Sequence, residues 1–177
     1  MGFKIPSVVS IAGSDSSGGA GIQADLKTIE ALGLFAQTAI TALTAQNTRG
    51  VSGVLDVPSE FVVQQIDAVF EDIRPGAVKI GMVSSALNVV AIAESLCAHA
   101  AENIVVDPVM VSTSGSRLIS DGASEALTGR LFPLASVITP NIPEAEVLWG
   151  RGIATKRDME AAAGELSERF GVAGLVK

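Results

Sequence analysis

The chain has 177 residues, 48% hydrophobic and 18% charged, a composition that suits one α/β domain with a sizeable core and excludes a disordered or low-complexity segment. A net charge of −7 leaves no basic stripe to displace counterions from phosphates, which excludes nucleic acid as a partner. The single cysteine excludes an internal disulfide framework, and no apolar stretch approaches the roughly 20 residues that span a bilayer. Pro6 breaks the short N-terminal apolar run and no cleavage-like pattern follows, so a cytoplasmic protein with no membrane partner is expected.

Residues 7–12, bounded by Pro6 and Gly13, read as a buried strand. The loop Gly13-Ser14-Asp15-Ser16-Ser17-Gly18-Gly19-Ala20-Gly21 follows, with four glycines in nine residues. Each glycine in a regular element loses about 0.5–1 kcal/mol relative to alanine, so this density points to positive φ or to close approach of a ligand. A strand, a glycine loop and a helix together present backbone N–H groups to a small molecule, though a tight βα turn without a ligand has the same pattern. The spacing is neither the dinucleotide fingerprint nor a P-loop.

A helix is expected over residues 21–32, stopped by Gly33. Residues 35–44 read as a second strand, and Pro58-Ser59-Glu60 opens a helix carrying Phe61, Val62, Ile66, Val69, Phe70 and Ile73 at helical spacing. A third strand covers 77–80, a helix covers 86–101, and a fourth strand over 103–106 ends in Asp107-Pro108. Cys97 reads as a buried thiol of that helix, and His99 as a surface or helix-packing residue rather than a catalytic one. Residues 110–121 form a longer polar loop, with Ser120 or Asp121 capping a helix that runs to 131. A fifth strand covers 136–138 and a short helix 143–149. Thr155 and Asp158 form a capping box that opens a helix to 170. A sixth strand starts at Gly174 with nothing to cover it, which predicts a chain truncated after the strand ending at Lys177. The alternation predicts a single α/β domain built on a mostly parallel sheet with helices on both faces.

Open α/β sheets bind ligands at the carboxyl ends of their strands. Those ends carry Gly13-Ser14-Asp15, Gln46-Asn47, Gly81-Met82, Asp107, Asn141 and Lys177, which reads as a lined crevice. Asp107 and Glu144 suit a hard cation, because Mg²⁺ takes one or two carboxylates plus water and phosphates. Asn141 and Glu144 suit equally a helix N-cap and a first-turn acid. Gln46 offers a donor and an acceptor to a heteroaromatic edge, while Met82 and Val109 suit either the ring faces or the core.

Five blocks carry a resemblance. They are residues 13–27, Thr41-Ala42-Leu43-Thr44-Ala45-Gln46-Asn47-Thr48-Arg49-Gly50, Lys79-Ile80-Gly81-Met82, Asp107-Pro108-Val109-Met110 and Thr139-Pro140-Asn141-Ile142-Pro143-Glu144-Ala145. In order and spacing the chain resembles the hydroxymethylpyrimidine/phosphomethylpyrimidine kinases, thiamine-biosynthesis enzymes of the ribokinase superfamily. Ser16 stands where many members have proline. The resemblance implies a ribokinase-like fold and ATP-dependent phosphorylation of 4-amino-5-hydroxymethyl-2-methylpyrimidine and then of its monophosphate. Carried over by position, Gln46 holds the aminopyrimidine edge, and Gly13, Ala20, Asp25, Met82 and Val109 line the pyrimidine pocket. Asp107 and Glu144 serve the Mg²⁺–phosphate side, and Asn141 and Lys177 the nucleotide.

ATP and Mg²⁺ are the implied cofactors, with a monovalent cation left open, and a homodimer is the implied assembly. Family members continue past the matching lysine into a second glycine-rich segment that forms the anion hole, and the catalytic base is expected there. The 177 residues alone are therefore expected to lack useful turnover. Pyridoxal kinase activity on the same fold and a non-catalytic pyrimidine-binding fragment are the competing readings.

Overall fold

The computed structural model describes residues 5–110 and 121–177. Its strands are β1 (Ser7–Ala12), β2 (Phe35–Ile40), β3 (Ala42–Asn47), β4 (Gly50–Asp56), β5 (Ala77–Ile80), β6 (Ile104–Val106), β7 (Val137–Ile138) and β8 (Ala173–Gly174). The α-helices are α1 (Gly21–Ala31), α2 (Ser59–Asp72), α3 (Ala86–Ala98), α4 (Asp121–Ala126), α5 (Ile142–Trp149) and α6 (Lys156–Phe170). Among the described residues, six strands form one parallel sheet in the order β2-β1-β5-β6-β7-β8, with helices on both faces, while β3 and β4 pair antiparallel outside it.

The strands alternate between two environments. Val9, Ile11, Val78, Ile80, Ile104 and Val106 share one apolar core with Val62 and Ile66 of α2 and Val89, Ile92 and Leu96 of α3. Fully burying side chains of this size contributes about 1.5–3 kcal/mol each. Ser10 of β1 and Lys79 of β5, register partners, instead reach Asp25 of α1. Thus one face of the central strands is apolar, and the other carries polar groups toward α1.

Most expected elements are present, and the differences have local causes. The second strand does not run to Thr44: β2 stops at Ile40 and the chain leaves the sheet at Thr41. Thr41 is fully buried; its Oγ1 donates to the Met82 carbonyl at 2.8 Å and its own carbonyl accepts from Val57 N–H at 3.0 Å. The chain then forms the β3–β4 hairpin, whose second strand has two glycines and no apolar alternation to announce it. The helix expected to reach 101 ends at Ala98, where Ala100 and Asn103 take positive φ of 46° and 54°.

The helix expected to reach 131 changes at Ala126 into a π-helical turn over Leu127–Leu131. Of the polar loop expected over 110–121, residues 111–120 lie outside what the structure describes, as do the Ser120 cap and the Asp121 side chain, while Asp121 itself opens α4. Cys97 is exposed rather than buried, because the covered face of α3 runs through Val89, Ile92, Ala93 and Leu96 and Cys97 falls past its edge. His99 does pack between helices: its Nε2 lies 2.7 Å from Asp67 Oδ1, and its ring stacks on Phe70 at 4.7 Å. The Thr155–Asp158 capping box forms as expected.

Candidate active site

The glycine loop after β1 is organised by Asp15, which is only 2% exposed. Its Oδ1 accepts from Ser17 N at 2.8 Å, and its Oδ2 from Gly19 N at 3.0 Å and Ala20 N at 2.8 Å. Burial pushes this carboxyl up, but the bonds from the Ser17 hydroxyl and from the Ser17, Ala20 and Gly19 amides outweigh it and hold it below the ordinary carboxylate range. The loop closes at Gly21, where φ is +55° and a Cβ would sit 2.4 Å from the Gly13 carbonyl oxygen. Only glycine fits there.

The hairpin supplies the opposite wall. A register shift between Ala45 and Gln46 leaves Ser52 of β4 out of the ladder register, its hydroxyl donating to the Ala45 carbonyl at 2.9 Å, and such bulges re-aim the neighbouring side chain. Ser16 then ties the loop to the hairpin: its Oγ donates to the Gln46 carbonyl at 2.7 Å and accepts from Gln46 N–H at 2.8 Å. A proline at position 16 could make neither of these two bonds. Thr44 Oγ1 donates to the Ser14 carbonyl at 2.7 Å and lies 3.3 Å from Gln46 Oε1.

Between these walls lies a cavity of about 310 Å³. Seven expected site residues line it: Gly13, Ala20, Asp25, Gln46, Met82, Asp107 and Val109. Gly13 is held by its N–H to the Met82 carbonyl at 3.1 Å, and a Cβ there would fall 2.5 Å from Met82 Cε. The backbone is therefore bare where the thioether crosses it. Thr44, Val51 and Lys79 also line the cavity and were missed by sequence reasoning. For Lys79 a signal existed, a charged residue inside the otherwise apolar run Ala77-Val78-Lys79-Ile80. Val51 had none, because it reaches the cavity only through the unforeseen hairpin.

Asn141, Glu144 and Lys177 do not line this cavity; Lys177 meets it through Asp107. Asp107 Oδ1 accepts from Lys177 Nζ at 2.8 Å and from Thr139 Oγ1 at 3.2 Å. Asn141 and Glu144 form the capping box of α5, each backbone N–H bonded to the other's side chain at 2.9 Å. Glu144 is 1% exposed, and its Oε1 also faces Met110 N at 3.4 Å. Burial raises the Glu144 carboxyl above its usual value, and the charge of Asp107 adds to this against the bonds from Asn141 and Met110 and the Lys177 ammonium. Two carboxylates whose charges interact, one of them bonded to the Lys177 ammonium, suit a divalent cation. Among the described residues no cluster of three or more His, Cys, Asp or Glu side chains is placed to hold a metal, so water and phosphate oxygens would complete its shell.

Residues 15–177 match the family model described as phosphomethylpyrimidine kinase. The chain belongs to that family. It is 54% identical over 170 residues to a hydroxymethylpyrimidine/phosphomethylpyrimidine kinase of Rhizobium meliloti, covering 96% of this chain and 64% of that one. The crystal structure of phosphomethylpyrimidine kinase from Clostridium difficile 630 superposes with a TM-score of 0.89 at 50% identity, over 98% of this chain and 75% of that one. A pyridoxal kinase from Staphylococcus aureus, solved with pyridoxal, gives a TM-score of 0.85 at 34% identity over 98% of this chain and 63% of that one. The fold is thus that of the ribokinase-like vitamin kinases. Against the curated relatives compared, the chain spans from 30% to 64% of their length.

Proposed function

We propose that this chain carries the acceptor side of an ATP-dependent kinase that phosphorylates 4-amino-5-hydroxymethyl-2-methylpyrimidine, and then its monophosphate, in thiamine biosynthesis. The observation that carries the reading is the convergence of Gln46, Asp25, Met82 and Val109 with the glycine loop on one cavity, with Asp107 at its border. The Gln46 amide pairs with the aminopyrimidine edge, and Met82 and Val109 cover the ring faces. Asp107 and Glu144 would hold Mg²⁺, which supplies neutralisation of phosphate charge when bound. Lys177 and Asn141 serve the nucleotide, the half-exposed Lys177 ammonium being within reach of solvent and of a phosphate oxygen beside Asp107. The chain's own task is to exclude water from the acceptor and to aim its hydroxyl at the Asp107 border. The same reading carries a homodimer: Leu43 and Leu55, cross-strand partners on the hairpin, are 47% and 67% exposed and offer apolar surface to a second copy.

A coupled ADP-release assay on this chain, with ATP–Mg²⁺ and either the pyrimidine alcohol or pyridoxal, tests the proposal. ADP release that depends on the pyrimidine supports it in full. Pyrimidine binding without turnover assigns the chain as an acceptor-binding part alone. A clear preference for pyridoxal overturns the acceptor assignment.

A further inference from the structure

Lys79 is a charged group of the cavity wall that the acceptor chemistry above leaves unused. Lys79 Nζ lies 2.7 Å from Asp25 Oδ2, and Ser10 Oγ donates to the same oxygen at 2.6 Å. These donors come from adjacent strands in register, so the sheet itself sets their spacing. With both on Oδ2, the carboxylate is fixed in its plane and Oδ1 is the oxygen left for a ligand. Gly81 permits this arrangement, because a Cβ there would lie 2.8 Å from Lys79 Nζ and 2.9 Å from Ala12 Cβ. The ammonium therefore folds across a bare stretch of backbone and stays in the cavity wall, with 26% of the lysine side chain exposed. An ion pair serving only as surface decoration needs no such relief.

We propose that Lys79 is a positioning residue for the acceptor. Together with Ser10 it holds Asp25 so that Oδ1 meets a hydrogen-bond donor on the heteroaromatic ring; this rests on the acceptor reading above. A pair that merely pins α1 to the sheet makes a different prediction. Its loss lowers the melting temperature and leaves the affinity of the folded protein unchanged, whereas loss of a positioning residue weakens the acceptor itself.

Calorimetric titration of the pyrimidine alcohol into wild type, Lys79→Met, Asp25→Asn and the double variant separates the two, with melting curves recorded in parallel. Folded Lys79→Met is expected to bind about ten- to a hundredfold more weakly, the range for losing a charge-assisted hydrogen bond. The double variant is expected to bind no more weakly than Asp25→Asn alone, because Lys79 acts only through that carboxylate. Unchanged affinity in Lys79→Met, or losses that multiply in the double variant, overturn the proposal while the acceptor reading stands. Wild type that binds no pyrimidine alcohol overturns the acceptor reading and this proposal together. If Lys79→Met fails to fold, Lys79→Gln, which keeps a donor without the charge, carries the same expectations.

Discussion

Lys177 Nζ stands 2.8 Å from Asp107 Oδ1, joining the carboxyl end of β8 to that of β6 across β7. Through this bond the acceptor cavity meets the second group of polar residues. The lysine side chain is 49% exposed and the aspartate 23%, so the pair contributes little to folding. Lys177→Met should lower stability by no more than about 1 kcal/mol, the upper range for exposed pairs. Thermal melting checks this, and a loss several times larger would assign Lys177 a structural role.

Asp15 has a structural task, and its pH dependence has a definite sign. Its folded-state pKa is depressed, so its contribution is present above the unfolded value and is lost as pH falls through the folded one. Urea denaturation of wild type should therefore show a loss of stability below about pH 4, where unfolded aspartate takes up its proton. Asp15→Ala should cost about 2 kcal/mol at neutral pH, from several loop amides left to water, and should flatten the acid dependence. An equally steep acid loss in the variant would place the effect elsewhere.

Glu144 behaves in the opposite sense. Its folded-state pKa is raised above the usual 4.5, so its contribution is complete below that value and is lost as pH rises through the folded one. The stability of wild type relative to Glu144→Gln should thus decline from acidic to neutral pH. Paired denaturation curves at pH 4 and pH 7 measure it, and a difference that grows with pH contradicts the assignment.

Two glycines of the same loop should respond differently to alanine. At Gly21 the new Cβ meets backbone 2.4 Å away at positive φ, so Gly21→Ala should cost about 3 kcal/mol. At Gly13 it meets the mobile end of Met82, so Gly13→Ala should cost about 1 kcal/mol. The displaced thioether narrows the cavity, and acceptor affinity should fall at least about tenfold, roughly the value of a methyl-sized misfit. Melting curves together with titrations distinguish the two outcomes.

The sheet strands were legible because Val9, Ile11, Val78, Ile80 and Val106 lie in short apolar runs bounded by Pro, Gly or Asp. The residues at their carboxyl ends were legible for the same reason, since strand ends position ligand groups in open α/β sheets. The hairpin was not. Leaving the sheet at Thr41 depends on tertiary bonds to Met82, Val57 and Asn88, which have no local signature. The pairing of Lys79 with Asp25 spans 54 positions and depends on the glycine at 81, so neither residue announces it alone. Asn141 and Glu144 showed the opposite ambiguity: the capping role read from their spacing is present, and the same buried carboxylate also lies close enough to Asp107 for their charges to interact.

On the proposed function, the cavity between the glycine loop and the hairpin takes an aminopyrimidine through Gln46. Calorimetric titration of 4-amino-5-hydroxymethyl-2-methylpyrimidine into wild type and Gln46→Ala tests it most directly. Saturable one-to-one binding to wild type is predicted, weakened at least about tenfold in the variant, as expected when a site built to hydrogen-bond a ring edge loses its partner. Equal affinity in the two proteins, or no binding to wild type, would contradict it.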